Sequence, residues 1–330
     1  MRILICPDKF RGTATALTAA QAIADGFLEP SVERVLIPLA DGGEGTLDAL
    51  GGSNRVSQVT GPLGDAVSAR WRIAQGQAVI EMAEASGLLL AGGANGNDPL
   101  SATTSGTGEL IAEAKAAGAK RIIIGVGGSA STDGGLGALR AMEPLIRFAG
   151  IDLLVACDVE TKFLDAPAVF GPQKGASKLQ IQLLERRLKR LSEIYVEEYG
   201  TEVAGLQRSG AAGGLAGGLA AIGAELVRGF DLVAEEVALE DAVASADMVI
   251  TGEGRLDKES FNGKVIGGVV ALAERHQVPV VAVVGSCDLD ADFPVGMKVV
   301  SLVENFGAEV AHAETTRCLR EVGKQISSEL

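Results

Sequence analysis

Four times in this chain a short apolar run gives way to a turn built from glycines, acids and bases. Met1-Arg-Ile-Leu-Ile-Cys-Pro-Asp-Lys-Phe-Arg-Gly12 is the first, and Val35-Leu-Ile-Pro-Leu-Ala-Asp-Gly-Gly-Glu-Gly-Thr46 the second. Arg121-Ile-Ile-Ile-Gly-Val-Gly-Gly-Ser-Ala-Ser-Thr-Asp-Gly-Gly135 and Asp247-Met-Val-Ile-Thr-Gly-Glu-Gly-Arg-Leu-Asp257 complete the set. A strand buried on both faces reads as a near-continuous apolar run, and ligands of open α/β sheets lie beyond the carboxyl ends of such strands. Glycines there let backbone N–H groups approach an anion, while carboxylates hold Mg2+ or accept a proton. The repetition predicts an α/β enzyme that handles phosphate.

Composition narrows the classes further. The 330 residues allow two domains, and with aromatics at only 4% the core must be mostly Ala, Val, Ile and Leu. A formal charge of −14 argues against nucleic acid or an anionic membrane as partner, because both need a basic patch. The four cysteines (Cys6, Cys157, Cys287, Cys318) are far apart and form no CxxC pair, as suits a reducing compartment. His276 and His312 lack metal-ligand spacing, so no zinc site is expected. The apolar start Ile3–Cys6 is too short for a leader, and no run approaches a membrane span. A cytoplasmic protein, monomer or homodimer, is expected.

The element pattern changes along the chain. Strands are expected at Ile3–Cys6 and Val35–Leu39, with helices at Ala14–Leu28 and Gly45–Leu50. Short strands Val56–Thr60, Val67–Ile73 and Ala78–Glu81, joined by Gly61-Pro-Leu-Gly64 and Gln75-Gly-Gln77, carry hairpin chemistry. Strands Arg121–Ile124 and Ile151–Cys157 follow, then a charged helix Leu179–Tyr199 whose Leu183, Leu184, Leu188, Leu191 and Ile194 face a core. From Ala246 the alternation returns with Met248–Ile250, helix Val265–Arg275, Val278–Val284 and Lys298–Val303. The expected architecture is therefore α/β in two domains. Residues 1–55 and 240–330 would form a discontinuous, parallel-sheet, Rossmann-like domain, and 56–239 an inserted α/β domain with antiparallel hairpins.

Each motif has a functional and a plain reading. Asp8, Lys9 and Arg11 could neutralise a carboxylate or a transferring phosphoryl group, or form strand-end salt bridges. Asp41-Gly-Gly-Glu-Gly45 offers hard oxygens for Mg2+, or is a tight turn capping a helix. Gly127, Gly128, Ser129 and Thr132 could cradle phosphate, with Asp133 as base or metal ligand, in what would otherwise be a small-residue loop. Thr104 and Ser105 open a helix and could bind an anion or merely cap it. Gly213 and Gly214 are a second cradle or a close helix contact. Asp158 ends a strand, Lys174 follows in a loop, and Gly252, Glu253, Arg255 and Lys264 again combine acid, bases and glycine. Asp41 and Glu253 are the expected metal ligands; Lys9, Arg11, Asp41, Asp133 and Asp158 are the expected catalytic groups. There is neither GxxxxGK[ST] nor a GxGxxG after the first strand, which disfavours a P-loop enzyme and a nicotinamide-dependent oxidoreductase. A nicotinamide-dependent oxidoreductase using the glycines at 125–128, though disfavoured, and a non-catalytic nucleotide- or metabolite-binding module are the alternatives.

Taken together the motifs resemble the bacterial glycerate kinase family, type 1, along nearly the whole chain. The resemblance rests on Pro7-Asp-Lys-Phe-Arg-Gly12, Pro38-Leu-Ala-Asp-Gly-Gly-Glu-Gly45, Thr60-Gly-Pro-Leu-Gly64 and Glu81-Met-Ala-Glu-Ala-Ser-Gly87. It continues through Thr104-Ser-Gly-Thr-Gly108, Gly127-Gly-Ser-Ala130, Ala156-Cys-Asp158, Val169-Phe-Gly-Pro-Gln-Lys-Gly-Ala176, Gly210-Ala-Ala-Gly-Gly214 and Ile250-Thr-Gly-Glu-Gly254. It implies ATP-dependent phosphorylation of D-glycerate to a phosphoglycerate, and a two-domain α/β protein with one flavodoxin-like domain. This chain departs from the family in two places. Arg11 stands where members often have Lys, and the stretch from Ala138 to Asp152 is shorter than the family's usual connection.

Overall fold

A computed structural model describes residues 1–261, 263–288, 293–294 and 297–330. Its strands are β1 (Arg2–Ile5), β2 (Glu33–Leu36), β3 (Arg55–Thr60), β4 (Ala66–Ala74), β5 (Gln77–Glu81) and β6 (Arg121–Gly125). They continue with β7 (Asp152–Cys157), β8 (Glu225–Arg228), β9 (Met248–Leu256), β10 (Val280–Cys287) and β11 (Lys298–Ser301). The chain divides into two compact units. The first comprises Met1–Asp41, Asp48–Leu50 and Phe230–Leu330; the second comprises Gly42–Leu47 and Gly51–Gly229. These bounds differ from a division at 55/56 and 239/240, for reasons of packing. Phe230 and Val233 join the first unit's core, whereas Gly45 and Leu47 donate their N–H groups to Glu81 of the second.

The first unit holds a five-stranded sheet in the order β11-β10-β9-β1-β2 with every pairing parallel. The inner strands β1, β9 and β10 bury their Ile3–Ile5, Val249–Ile250 and Val281–Val284 runs because both faces are covered there, whereas the edge strand β2 is not buried. On one face Ile3, Ile5, Ile250, Val281 and Val283 pack with Ala19, Ile23, Leu319 and Val322 from helices Ala16–Ala24 and Thr315–Ser328. On the other, Leu4, Cys6, Val249, Ala282 and Val284 meet Val265, Ile266 and Val269 of helix Val265–His276. Thr15 caps the first helix, its side chain accepting from Thr18 N.

The second unit holds a six-stranded mixed sheet, β3-β4-β5-β6-β7-β8. β3, β4 and β5 pair antiparallel, and β5 to β8 pair parallel. Gln75 and Gly76 both have positive φ (51° and 80°), as a two-residue type I′ hairpin turn requires. Ile80, Ile122, Ile124 and Val155 form the core with Leu110 and Ile111 of helix Ser105–Ala116 and Leu215 and Leu219 of helix Leu215–Ala221. The charged helix runs Lys178–Tyr199 behind a capping box made by Ser177 and Gln180. It buries Leu184, Leu188, Leu191 and Tyr195, while Leu183, expected in the core, is 41% exposed.

Several elements differ from the sequence expectation. β8 lies where no strand is expected. β9 does not stop at Ile250 but continues through Gly252-Glu-Gly to Leu256, pairing Glu253 with Val284 of β10. Helix Leu239–Ala244 is also additional.

Candidate functional site

In the first unit the acids gather past the carboxyl ends of β1 and β2 and within the second half of β9, where Glu253 lies. Asp8 follows β1 and is fastened by its N–H to Gly252 O of β9 at 2.8 Å. Leu39 N donates to Pro7 O, which draws the Pro38–Asp41 segment after β2 alongside. Asp8, Asp41 and Glu253 are 7%, 8% and 9% exposed, so three carboxyls lie out of water at one end of one sheet. Lys9 is the nearby cation, with Nζ 3.6 Å from Asp8 Oδ1. Burial pushes the Asp8 carboxyl up to about 6 against the pull of Lys9, and the Asp41 charge pushes it the same way. Glu253 is raised to about 7, by burial first. Ser260 and Lys264 hold Glu253 down, and Asp8 and Asp257 push it up. One of its oxygens, Oε1, is buried without a hydrogen-bond partner. Buried polar atoms are almost always paired, so an orphan beside a charged cluster marks a place where a partner belongs.

The remaining residues of this unit stand at its rim. Arg11 and Arg255 are exposed. Lys264 lies 3.6 Å from Glu259. Gly252 serves packing: a Cβ there would strike Val283 O of the neighbouring strand. Among the described residues no three His, Cys, Asp or Glu side chains are arranged as a protein-only metal cage.

In the second unit the carboxyl ends of β5, β6 and β7 place Glu81, the 126–135 loop and Asp158. Glu81 is 6% exposed and its Oε1 accepts from Gly45 N (2.9 Å) and Leu47 N (2.7 Å), shaping the glycine turn after Asp41. That turn lies close to the sheet end. A Cβ on Gly127 would come within 2.6 Å of Gly43 Cα, so this glycine provides close backbone approach. Gly128 O accepts from Leu88 N and Ala130 N donates to Ser86 O, which locks the loop against the segment after β5.

The loop's polar groups separate into anchors and a surface. Asp133 Oδ2 accepts from Thr104 N (2.9 Å), Thr104 Oγ1 (2.8 Å) and Gly137 N (3.2 Å), and Oδ1 from Gly135 N (3.0 Å). A carboxylate that accepts from four donors anchors Thr104 and the start of the helix at Leu136. Thr104, fully buried, passes the tie on by accepting from Ala138 N. Ser105 Oγ pairs with Thr103 Oγ1 at 2.8 Å.

Lys174 is 3% exposed, with Nζ donating to Ser129 Oγ at 2.7 Å and Ser131 O at 2.6 Å. Ser131 Oγ and Thr132 Oγ1 are buried without partners. Ala212, Gly213 and Gly214 have successive positive φ, and Gly213 O receives Gly134 N; a Cβ on Gly213 would strike Ser131 O. Gly213 thus supports the backbone of the first loop. Asp158 is exposed just beyond β7.

Sequence reasoning missed Glu81, Ser131 and Asn97 as site residues. Glu81 ends the apolar run Ala78-Val-Ile-Glu81, the same strand-then-acid signal as the four turns. Asn97 carries no such signal: its Nδ2 binds Ala130 O and Lys174 O, contacts set by tertiary structure alone.

Comparison with known proteins gives the lineage. The glycerate kinase family matches at residues 3–146 and 143–330, the two segments overlapping at 143–146. A glycerate kinase of Halalkalibacterium halodurans is 40% identical over 352 residues, covering 92% of each chain. The glycerate 2-kinase of Escherichia coli is 38% identical, covering 93% of each. A crystal structure of a putative glycerate kinase 2 from Salmonella typhimurium LT2 superposes with a TM-score of 0.81 at 36% identity, over 100% of this chain and 98% of that one. The chain belongs to the glycerate kinase family.

Proposed function

We propose that this protein transfers the terminal phosphoryl group of ATP to a hydroxyl of D-glycerate, giving a phosphoglycerate and ADP in the reducing cytoplasm. The match to the glycerate kinase family along the chain carries the reading. Asp8 and Asp41 past β1 and β2, with Glu253 within β9, give it chemistry. Phosphoryl transfer needs positioning and neutralisation of charge more than covalent help from the protein. Glu253, buried and raised to about 7, is suited to take the proton of the attacking hydroxyl through its unpartnered oxygen. Lys9 and Arg11 supply positive charge for the substrate carboxylate or the migrating group, with Lys264 and Arg255 on the β9 side.

The residues fit magnesium held together with a nucleotide. Carboxyls that raise one another's affinity for protons are relieved by a cation, and Mg2+ binds through one or two carboxylates plus phosphates and water. Asp41 would hold the ion, with the Glu253 oxygen as its neighbour. When bound, Mg2+–ATP supplies the activated phosphoryl group. In the second unit the Gly127–Ser129 loop, braced by Asp133, Thr104 and Gly213, offers fixed donors to an anion, and Asp158 offers an exposed carboxylate.

The test is ADP release by folded protein given Mg2+–ATP and D-glycerate, beside a panel of other hydroxy acids. ADP should appear in step with glycerate consumed. Silence with every acid would overturn the reading. Phosphorus NMR of the product identifies the phosphorylated hydroxyl.

A further inference from the structure

Lys174 cannot meet a ligand directly. It is 3% exposed, with the Phe170 ring centroid 6.0 Å from its Nζ. Its ammonium lies between two oxygens of one loop, Ser129 Oγ at 2.7 Å and Ser131 O at 2.6 Å. Asn97 ties the same two segments through their backbones, donating to Lys174 O at 2.9 Å and Ala130 O at 3.1 Å. The polarity of the Lys174–Ser129 contact follows from chemistry. An ammonium has three donors and no acceptor, so Ser129 Oγ must accept, and its own O–H proton must point elsewhere. Of the three hydroxyl residues in the loop, Ser131 and Thr132 are 0% and 2% exposed, while Ser129 keeps 7%. Ser129 is therefore the hydroxyl through which this buried charge can act on something outside.

We propose that Lys174 is a positioning residue that fixes Ser129 as a charge-assisted hydrogen-bond donor to an oxyanion, a carboxylate or a phosphoryl oxygen, bound at the Gly127–Ser129 loop. The inference rests on the kinase reading for the identity of that oxyanion, though not for its existence. Burial lowers Lys174 to about 7 and Asp133 is the facing charge that raises it. On losing its proton the amine gains a lone pair, Ser129 can donate inward, and the outward donor is lost. Oxyanion binding therefore draws a proton onto Lys174 and weakens as pH rises through neutrality.

The experiment is calorimetric binding of D-glycerate and, separately, of ADP. It uses the full chain, at about pH 6 and about pH 8, either side of the Lys174 value of about 7. Wild type, Ser129→Ala, Lys174→Met and the double variant are compared. At the lower pH each single variant should bind one of the two ligands about tenfold more weakly, the worth of a charge-assisted bond, and the double variant no more weakly than either. At the higher pH the differences should shrink. Loss confined to D-glycerate assigns a carboxylate; loss confined to ADP assigns a phosphoryl oxygen. Folded Ser129→Ala that binds both ligands as wild type at the lower pH overturns the proposal, and so does Ser129→Ala loss with normal binding by folded Lys174→Met. Should Lys174→Met fail to fold, the pH dependence decides: wild type must lose affinity through neutrality and Ser129→Ala must not. Binding is read without turnover, so a silent kinase assay leaves this result standing, and normal variants in an active enzyme remove only this inference.

Discussion

Glu253 links burial to chemistry most directly. Its carboxyl keeps a proton up to about pH 7 in the folded chain, against an ordinary value of 4.5, because burial penalises the anion. A group that binds its proton more tightly when folded stabilises the fold below the ordinary value and loses that contribution as pH rises toward the folded one. Wild-type stability should therefore fall between about pH 4.5 and 7 without magnesium, and Glu253→Gln should not share the fall. The gap should open in the variant's favour by about 3 kcal/mol at most, at about 1.4 kcal/mol per unit. Melting temperatures across that range decide it, and a gap independent of pH would remove the buried anion from the account. The same variant should lower kcat about a hundredfold, the usual contribution of a positioned base. Lys9 and Arg11 separate by burial. Either change to Ala should lower kcat/KM about tenfold or more, about 1.4 kcal/mol. Arg11→Ala should leave the melting temperature alone because Arg11 is exposed. Lys9→Ala should also raise the Asp8 carboxyl further, since Lys9 is the charge that holds it down. Kinetics and melting curves of both variants check this. Asp8, Asp41 and Glu253 were legible in the sequence because strand-end acids among glycines are a local signal. Which of them keeps one oxygen without a partner was not legible, since that depends on Ser260 and the packing around Glu253.

At the scale of elements the 126–135 loop shows how far a motif can be read. Its position after β6 follows from the apolar run, but Asp133 looks the same in sequence whether it does chemistry or holds Thr104 and the helix that begins at Leu136. The four donors to its carboxylate favour holding. Asp133→Ala should accordingly cost about 3 kcal/mol or more, by leaving buried N–H groups unpaired. Asp133→Asn, which keeps an acceptor oxygen, should cost less and retain kcat within about tenfold. Denaturant unfolding and steady-state rates measured together test this; a stable Asp133→Asn with activity abolished would return Asp133 to the reaction. β9 makes the same point about length. Gly252-Glu-Gly254 reads as a turn from composition, yet it continues a strand because Gly252 and Gly285 let β9 and β10 approach where a Cβ would clash. β8, only Glu225–Arg228, is too short and too charged to announce itself, and pairing with β7 makes it a strand.

For the whole molecule, the two units differ in how the chain builds them. The first needs segments from both halves of the chain, because β1 pairs with β9, Ile3 opposite Met248. The second is nearly continuous, from Gly42 to Gly229 apart from Asp48–Leu50, and has its own core. The sequence carries a single tryptophan, Trp71, which is 3% exposed in that core with its indole N–H on Ser57 Oγ at 2.9 Å. Tryptophan emission therefore reports the second unit alone. A chain of residues 42–229 expressed by itself should fold, because the strands from β3 to β8 and the helices covering them all lie within it. Its emission should match that of the full chain in native buffer and shift red in a single cooperative step with denaturant. Emission already red-shifted without denaturant would mean that Trp71 is buried only when the first unit is present, and that the two units fold as one.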